Sequence, residues 1–391
     1  MSHVQYRLKL KDKDILYFHI EKESHSLGTT TVHDYMVHID SIIDSQLLPL
    51  GLIPNNVGLH QWLLERKIPK NRAYVDELLQ ALSETDNPYS YIDVSYGLSL
   101  NDAYWVCPIH EQVTWQAMNL YTNPFDEIIA RIAFTGYESK IHHITTTPEY
   151  TTNGMLKKCW HRMDSTIYLY KGSTHRFANG GQEAFIECYA SQIAEAMGIP
   201  HVPYTIHSYH GEPVSACPLF TSEQIGFLPM SKCIDSVTTR DDLSRYRIQL
   251  EIGKQYGLTA FQDMMVFDAF IRNADRHLNN FGFLFHTESN ELIGPAPLFD
   301  HGNSLFYNVC DEDYDHLDTV NHNTSYWGIS YDEQAKRFLH PRHIPMLENM
   351  KVFTFNYLPS SILTEKKVKA LETFLQRRAT QFLSFLSETM E

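Results

Sequence analysis

Asp275, Asn280 and Asp300 are the residues of this chain whose types and spacing promise chemistry. Residues 281–286 are apolar and read as a short buried strand, 287–291 as a polar turn, and 292–299 as the strand that leads back. A hairpin returns its chain to its starting end. Asn280, just before the first strand, is therefore expected beside Asp300, just after the second. Asp275 lies a few residues ahead of Asn280 on the same loop. One amide oxygen and two carboxylates at a hairpin mouth suit a hard divalent cation and a base that accepts a proton.

Helical patterns over 241–256 and 259–272 deliver the chain to this loop. In the second, Phe261, Met264, Met265 and Ile271 share a face with Asp268. A carboxylate in apolar surroundings needs local hydrogen bonds, so Asp268 is read as a structural acid. Upstream, 151–154 is a turn, and 155–160 and 165–170 are strand candidates that end at Lys171 and Gly172. Backbone N–H groups at such a tip can cradle phosphate oxygens, and a strand lysine can reach them. A helix over 181–197 stops at Gly198, with Pro200 beyond. Its stripe is Ile186, Ala190, Ile193 and Met197. Glu183 and Glu187 lie one turn apart beside it, as candidates to hold the lysine, Glu187 nearer the stripe. Segments 202–209 and 214–220 read as an antiparallel pair whose exit can meet an adenine edge. After Asp300, 303–318 reads as an exposed acidic loop, and 331–339 and 365–390 as closing helices.

Residues 1–145 read as a separate α+β unit opening with a hairpin over 6–10 and 15–20. Asn71 can cap a helix carrying Val75, Leu78, Leu79 and Leu82, and Asn123 before Pro124 is a second helix start. Trp105 and Trp115 are read as core. This region shows no clustered acid, base or nucleophile along the sequence, and 139–153 reads as a linker. The expected division is 1–145, then a small lobe over 146–225, then a mainly helical lobe over 226–391.

A hydrophobic content of 43% with 20% charged residues is that of a globular chain with a real core. A formal net charge of −15 argues against a direct nucleic-acid binder. The six cysteines are scattered without a CxxC pair, which points to a reducing compartment. The sequence starts without an apolar leader core, and no run reaches about 18 apolar residues. A cytoplasmic protein with no membrane partner is expected.

Over about 150–390 these features resemble the HipA-like serine/threonine kinases, including the shorter CtkA-type proteins. The family's catalytic loop, D-x-H-x-x-N, stands here as Asp275, His277 and Asn280, and its metal aspartate follows an aromatic, here Phe299 and Asp300. The resemblance implies an α+β, two-lobed protein-kinase-like fold, akin to phosphatidylinositol kinases, with an added N-terminal domain. It implies ATP and Mg²⁺ as cofactors, Asp275 as base, Asn280 and Asp300 as metal ligands, and His277 as a catalytic or loop-shaping residue. Lys171 would be the ATP lysine, paired by Glu187. Thr151, Thr152, Asn153, Gly154 and Lys158 would form the phosphate-covering loop, with Thr151 and Thr152 as autophosphorylation candidates. Cys217, Leu219 and Phe220 would receive adenine, although Pro218 between them lacks an N–H. A protein hydroxyl is the expected acceptor, and residues 1–145 the place for a regulatory partner. A nucleotide-gated scaffold and a lipid or small-molecule kinase are the alternatives.

Overall fold

The computed structural model describes residues 2–27, 30–80, 89, 91–137, 146–174, 180–234, 245–320 and 324–390. They form two compact units. The first holds Met1–Tyr170, Thr221–Leu228 and Leu284–Ile293, and the second holds Lys171–Phe220, Pro229–Phe283 and Gly294–Glu391. Packing thus divides the chain differently from the sequence-based boundaries at 145 and 225.

The first unit opens with β1 (Ser2–Leu10), β2 (Lys13–Leu27) and β3 (Thr30–Ile42), and β4 (Tyr104–Pro108) adds to β1, giving the order β3-β2-β1-β4. Alternation sets the two faces. Tyr6, Leu8 and Leu10 of β1 are buried with Leu16, Phe18 and Ile20 of β2, while His19 and Glu21 occupy the other face. A bulge opposite Tyr17 and Phe18 leaves Asp40 of β3 without a cross-strand partner. Around the sheet lie α1 (Asn56–Leu64), α2 (Val75–Gln80), α3 (Ile92–Ser95), α4 (Trp115–Met118) and α5 (Glu127–Thr135). Trp105 is fully buried beside Trp115 in the core, as the sequence implies.

Two expectations change here. Helix α5 starts at Glu127 and not at Asn123, because the Asp126 carboxylate accepts from Ile128 and Ile129 N–H and so caps it. The described part of the expected linker, 146–153, contains a buried 3₁₀ turn, Pro148–Thr151, and not an exposed tether. The buried Arg72 guanidinium donates to the carbonyls of Glu149, Thr152 and Lys158 and clamps it. The remainder of that stretch up to 145, the stripe position Leu82, and the start of the helix expected at 241 lie outside the described residues.

Strands β5 (Lys158–Met163) and β6 (Thr166–Lys171) follow. Then come α6 (Glu183–Met197), β7 (Thr205–Tyr209), β8 (Glu212–Pro218), β9 (Ile225–Pro229), α7 (Arg245–Tyr256) and α8 (Leu258–Ile271). Strands β10 (Gly282–His286) and β11 (Leu292–Pro295) form the expected hairpin. The chain closes with α9 (Tyr331–Phe338), α10 (Ile344–Met350) and α11 (Glu365–Met390). Helix α6 ends as expected at Gly198, whose φ of +69° suits a residue without Cβ.

The second unit's core is built from α6, α8, α9, α10 and α11. Segment 303–318 belongs to this core and is not an exposed loop. Leu305, Phe306, Val309, Tyr314 and Leu317 are buried among the helices, while Asp311, Glu312, Asp315 and Asp318 are exposed.

Candidate active site

Helix α8 is buried almost all round, and its last turn hands the chain to the loop through Arg272, which is left-handed at φ +56°. Asp268, near that end, is held by the Arg276 guanidinium through Nε at 2.8 Å and Nη2 at 2.9 Å, and by Asn273 Nδ2 at 2.9 Å. Arg276 spends its other donors on Asn280 O at 2.8 Å, Phe299 O at 2.9 Å and His301 Nδ1 at 3.0 Å. All five guanidinium N–H groups are used, which a lysine could not reproduce. Because one nitrogen serves the carbonyls of Asn280 and Phe299 together, Arg276 ties the two ends of the hairpin mouth. The Ala296 N–H to Gly282 O bond, 2.8 Å, closes it just inside. Arg276 is absent from the residues singled out by sequence. The signal was the lone Asp268 on an apolar face, which requires a cation within reach.

The loop is braced by its own polar groups. Asp275 N–H donates to Asn273 Oδ1, His277 N–H donates to Asp275 O, and Asn303 Nδ2 donates to Asp275 Oδ2 at 3.0 Å. His277 accepts the Asn279 N–H at Nδ1, which makes it a shaping residue of this turn. Asn280 Nδ2 is anchored on Asp275 O at 2.9 Å, so its oxygen is the end left for a cation. Burial raises the Asp275 pKa above 3.8 and the Asp300 charge adds to this, against the opposing pull of His277 and Asn303.

Asp300 sits at φ +61°, a left-handed position costly for a residue with Cβ, and its N–H donates to the buried Tyr204 hydroxyl. Its carboxylate accepts from Lys171 Nζ at 2.5 Å. Lys171 is buried at the end of β6 and also bonds Glu187 of α6. Ser215 of β8 donates to the other Glu187 oxygen. Burial alone would lower the Lys171 pKa, but Asp300 and Glu187 outweigh it and raise it, so the ammonium stays charged. Burial pushes Glu187 up from 4.5, and Lys171 and Ser215 pull it back towards the carboxylate. With two donors on that carboxylate, the pair is an ion pair. Glu183, the other candidate, instead accepts from Thr174 Oγ1 and Gly181 N–H.

The second unit holds Lys171, Glu187, Asp275, His277, Asn280 and Asp300, with Lys171 bonded to Glu187 and Asp300, and Asn280 bonded to Asp275. Cys217 is buried at the end of β8, and Phe220 lies against Phe299 with ring centroids 5.3 Å apart. Leu219 is partly exposed between them. Thr151, Thr152, Asn153, Gly154 and Lys158 belong to the first unit. There, Thr151 Oγ1 donates to Leu98 O, Thr152 Oγ1 donates to Pro148 O, and Lys158 Nζ donates to Asn153 O. Gly154 takes a φ of +97°, with Lys158 Nζ where a Cβ would stand. Both threonine hydroxyls are thus committed to carbonyls in a buried turn.

His301 gives a pH prediction. Burial and the neighbouring Arg276 charge push its pKa well below 6.5, so the folded ring is neutral. The unfolded ring takes up a proton first as pH falls through 6.5, so the stability contributed by neutral burial is present above that pH and is lost below it. Urea midpoints should therefore decline from pH 6.5 downwards, and His301→Asn should flatten that decline.

No protein-family model matches the chain. It is 28% identical over 165 residues to the serine/threonine-protein kinase CtkA of Helicobacter pylori (strain J99 / ATCC 700824), covering 39% of this chain and 50% of that relative. The chain thus spans about half the length of the curated relative it matches. Among solved structures it is similar to HipA of Shewanella oneidensis MR-1, determined with HipB and operator DNA, with a TM-score of 0.54 and 14% identity over 98% of both chains. The solved Helicobacter pylori proinflammatory kinase CtkA aligns with a TM-score of 0.43 and 20% identity, over 59% of this chain and 93% of that one. The resemblance to HipA-like kinases is thus borne out in sequence by CtkA and in fold by HipA. The fold likeness reaches further than the sequence implied. At 98% coverage it runs through most of residues 1–145, which sequence motifs had left outside.

Proposed function

We propose that this chain is a HipA-like serine/threonine protein kinase that moves the γ-phosphoryl group of ATP, with Mg²⁺, to a protein hydroxyl, its own included. The observation that carries this reading is the buried Lys171 held between Glu187 and Asp300, beside the braced Asp275 loop. The donor set fits magnesium. Asp300 offers a carboxylate and Asn280 an amide oxygen, both hard ligands. Among the described residues, the carboxylates of Glu187 and Asp300 share Lys171, and Asp275 feels the Asp300 charge, while Arg276 is taken up by Asp268. When bound, Mg²⁺ and ATP supply the transferable phosphoryl group and the charge that offsets its oxygens.

The chain's own residues do the rest. Lys171 holds phosphate oxygens and Glu187 fixes its position. Asp275 orients the acceptor hydroxyl and takes its proton, Arg276 and Asn303 fix the loop that carries it, and Cys217, Leu219 and Phe220 line the adenine side. Modification at Thr151 or Thr152 requires the buried turn that holds their hydroxyls to open. A partner on residues 1–145 would act as regulator. A scaffold has no use for this full set of ionisable groups, which favours the kinase over that alternative.

The test is phosphotransfer from γ-labelled ATP to a peptide panel and to the chain itself. Asp300→Asn should lower the rate by about 10²- to 10³-fold, the effect of removing one preorganised electrostatic contact. Lys171→Met should raise the KM for ATP more than Asp275 variants do. Undiminished incorporation by Asp300→Asn overturns the reading.

A further inference from the structure

We propose that His19, Glu21 and His38 form a binding site for a borderline divalent transition-metal ion of the zinc type, on the polar face of the first unit's sheet. This site stands apart from the phosphotransfer reading. The register sets His19 of β2 opposite His38 of β3, and Glu21 lies two positions along β2 on the same face. Directly opposed cross-strand residues hold their side chains side by side. The two imidazole rings are stacked, with centroids 5.0 Å apart. One donor atom from each of the three residues lies within 4.8 Å of the other two.

The surroundings are those of a ligand set. His38 Nε2 is buried, meets no hydrogen-bond partner among the described residues, and faces Glu21 Oε2 at 3.6 Å. That gap is too long for a hydrogen bond. It is close to the separation of two donors on one tetrahedral zinc ion, about 3.4 Å for bonds of about 2.0–2.1 Å. The other nitrogen of His38 has a long 3.4 Å contact with Asn56 Nδ2, too weak to hold the ring in one tautomer. His19 Nδ1 donates to Asp40 Oδ1 at 2.7 Å, which fixes the orientation of the ring. A carboxylate behind a histidine is the usual way such a ligand is oriented, and here the β3 bulge supplies it. The three side chains are 24–35% exposed, so an ion can enter and water can complete the coordination. Two imidazoles and a carboxylate select zinc, copper or nickel, whereas the oxygen-only set at Asp275, Asn280 and Asp300 suits magnesium.

The test is equilibrium dialysis of the full chain against micromolar Zn²⁺ with excess Mg²⁺ present, followed by elemental analysis. Wild type should retain one zinc equivalent. His19→Ala and His38→Ala should lose it with unchanged circular dichroism, Asp40→Asn should bind about 10- to 100-fold more weakly, and His25→Ala, further along the same strand, should keep it. Co²⁺ in place of zinc should give tetrahedral visible bands in wild type and none in His38→Ala. If wild type retains no zinc, or if His19→Ala and His38→Ala both keep the equivalent, the proposal is wrong. Loss confined to His25→Ala overturns it as well. Should either alanine variant lose its fold, Glu21→Gln, of equal volume, carries the same test, and unweakened binding there counts against the site.

Discussion

Asp275→Asn lowers phosphotransfer by about 10²- to 10⁴-fold, the range over which a positioned general base contributes. The carboxamide keeps the size of the carboxylate and can still meet Asn303, whose Nδ2 donates to Asp275 Oδ2 in the wild type. Asp275 O, which holds both Asn280 Nδ2 and the His277 N–H, is untouched. What is lost is the ability to take a proton. ATP affinity should therefore change little while kcat falls. The pH–rate profile gives a second readout. Burial, with the Asp300 charge next, raises the Asp275 pKa above 3.8, so the acid limb of the wild-type profile lies above the ordinary carboxylate range. The residual rate of Asp275→Asn should lack that limb. A profile and a kcat like those of wild type remove Asp275 from the mechanism.

Arg276→Met destabilises the second unit by about 3–5 kcal/mol, the cost of leaving a buried carboxylate without its partner. Arg276 and Asp268 are each about 1% exposed, so bulk solvent does little to screen the pair. The urea midpoint measures the loss, and Arg276→Lys should recover only part of it because three ammonium donors cannot replace five in a planar fork. The double variant Asp268→Leu with Arg276→Met removes the orphaned charge and should regain most of the stability. It should not regain activity, since the carbonyls of Asn280 and Phe299 still lack the donor that joins them. If the double variant is as active as wild type, Arg276 serves stability alone.

The readable part of the site was the part held by neighbouring sequence. Residues 281–299 carry strand, turn and strand in their own composition, and β10 and β11 occupy them. Glu187 was favoured over Glu183 because it adjoins the apolar stripe of α6, and it is Glu187 that meets Lys171. Where prediction failed, a distant contact had reassigned a local signal. The polar stretch at 146–153 looked like a tether, yet Arg72, far earlier in the chain, turns its carbonyls inward. The acids of 303–318 suggested exposure, yet Phe306 and Tyr314 between them are drawn into the helical core. Composition reports an average over such a segment, whereas burial is decided residue by residue through packing.

By itself the sequence determined the hairpin mouth, the helix stop at Gly198 and the spacing of Asp275, His277 and Asn280, because turn chemistry and periodicity act over a few residues. Only the tertiary structure decided that Lys171 reaches Asp300 across 129 residues, that Arg276 joins the two sides of the mouth, and that strand register sets His19 opposite His38. Those contacts depend on how separate elements pack, and no local pattern encodes the partner of a buried charge.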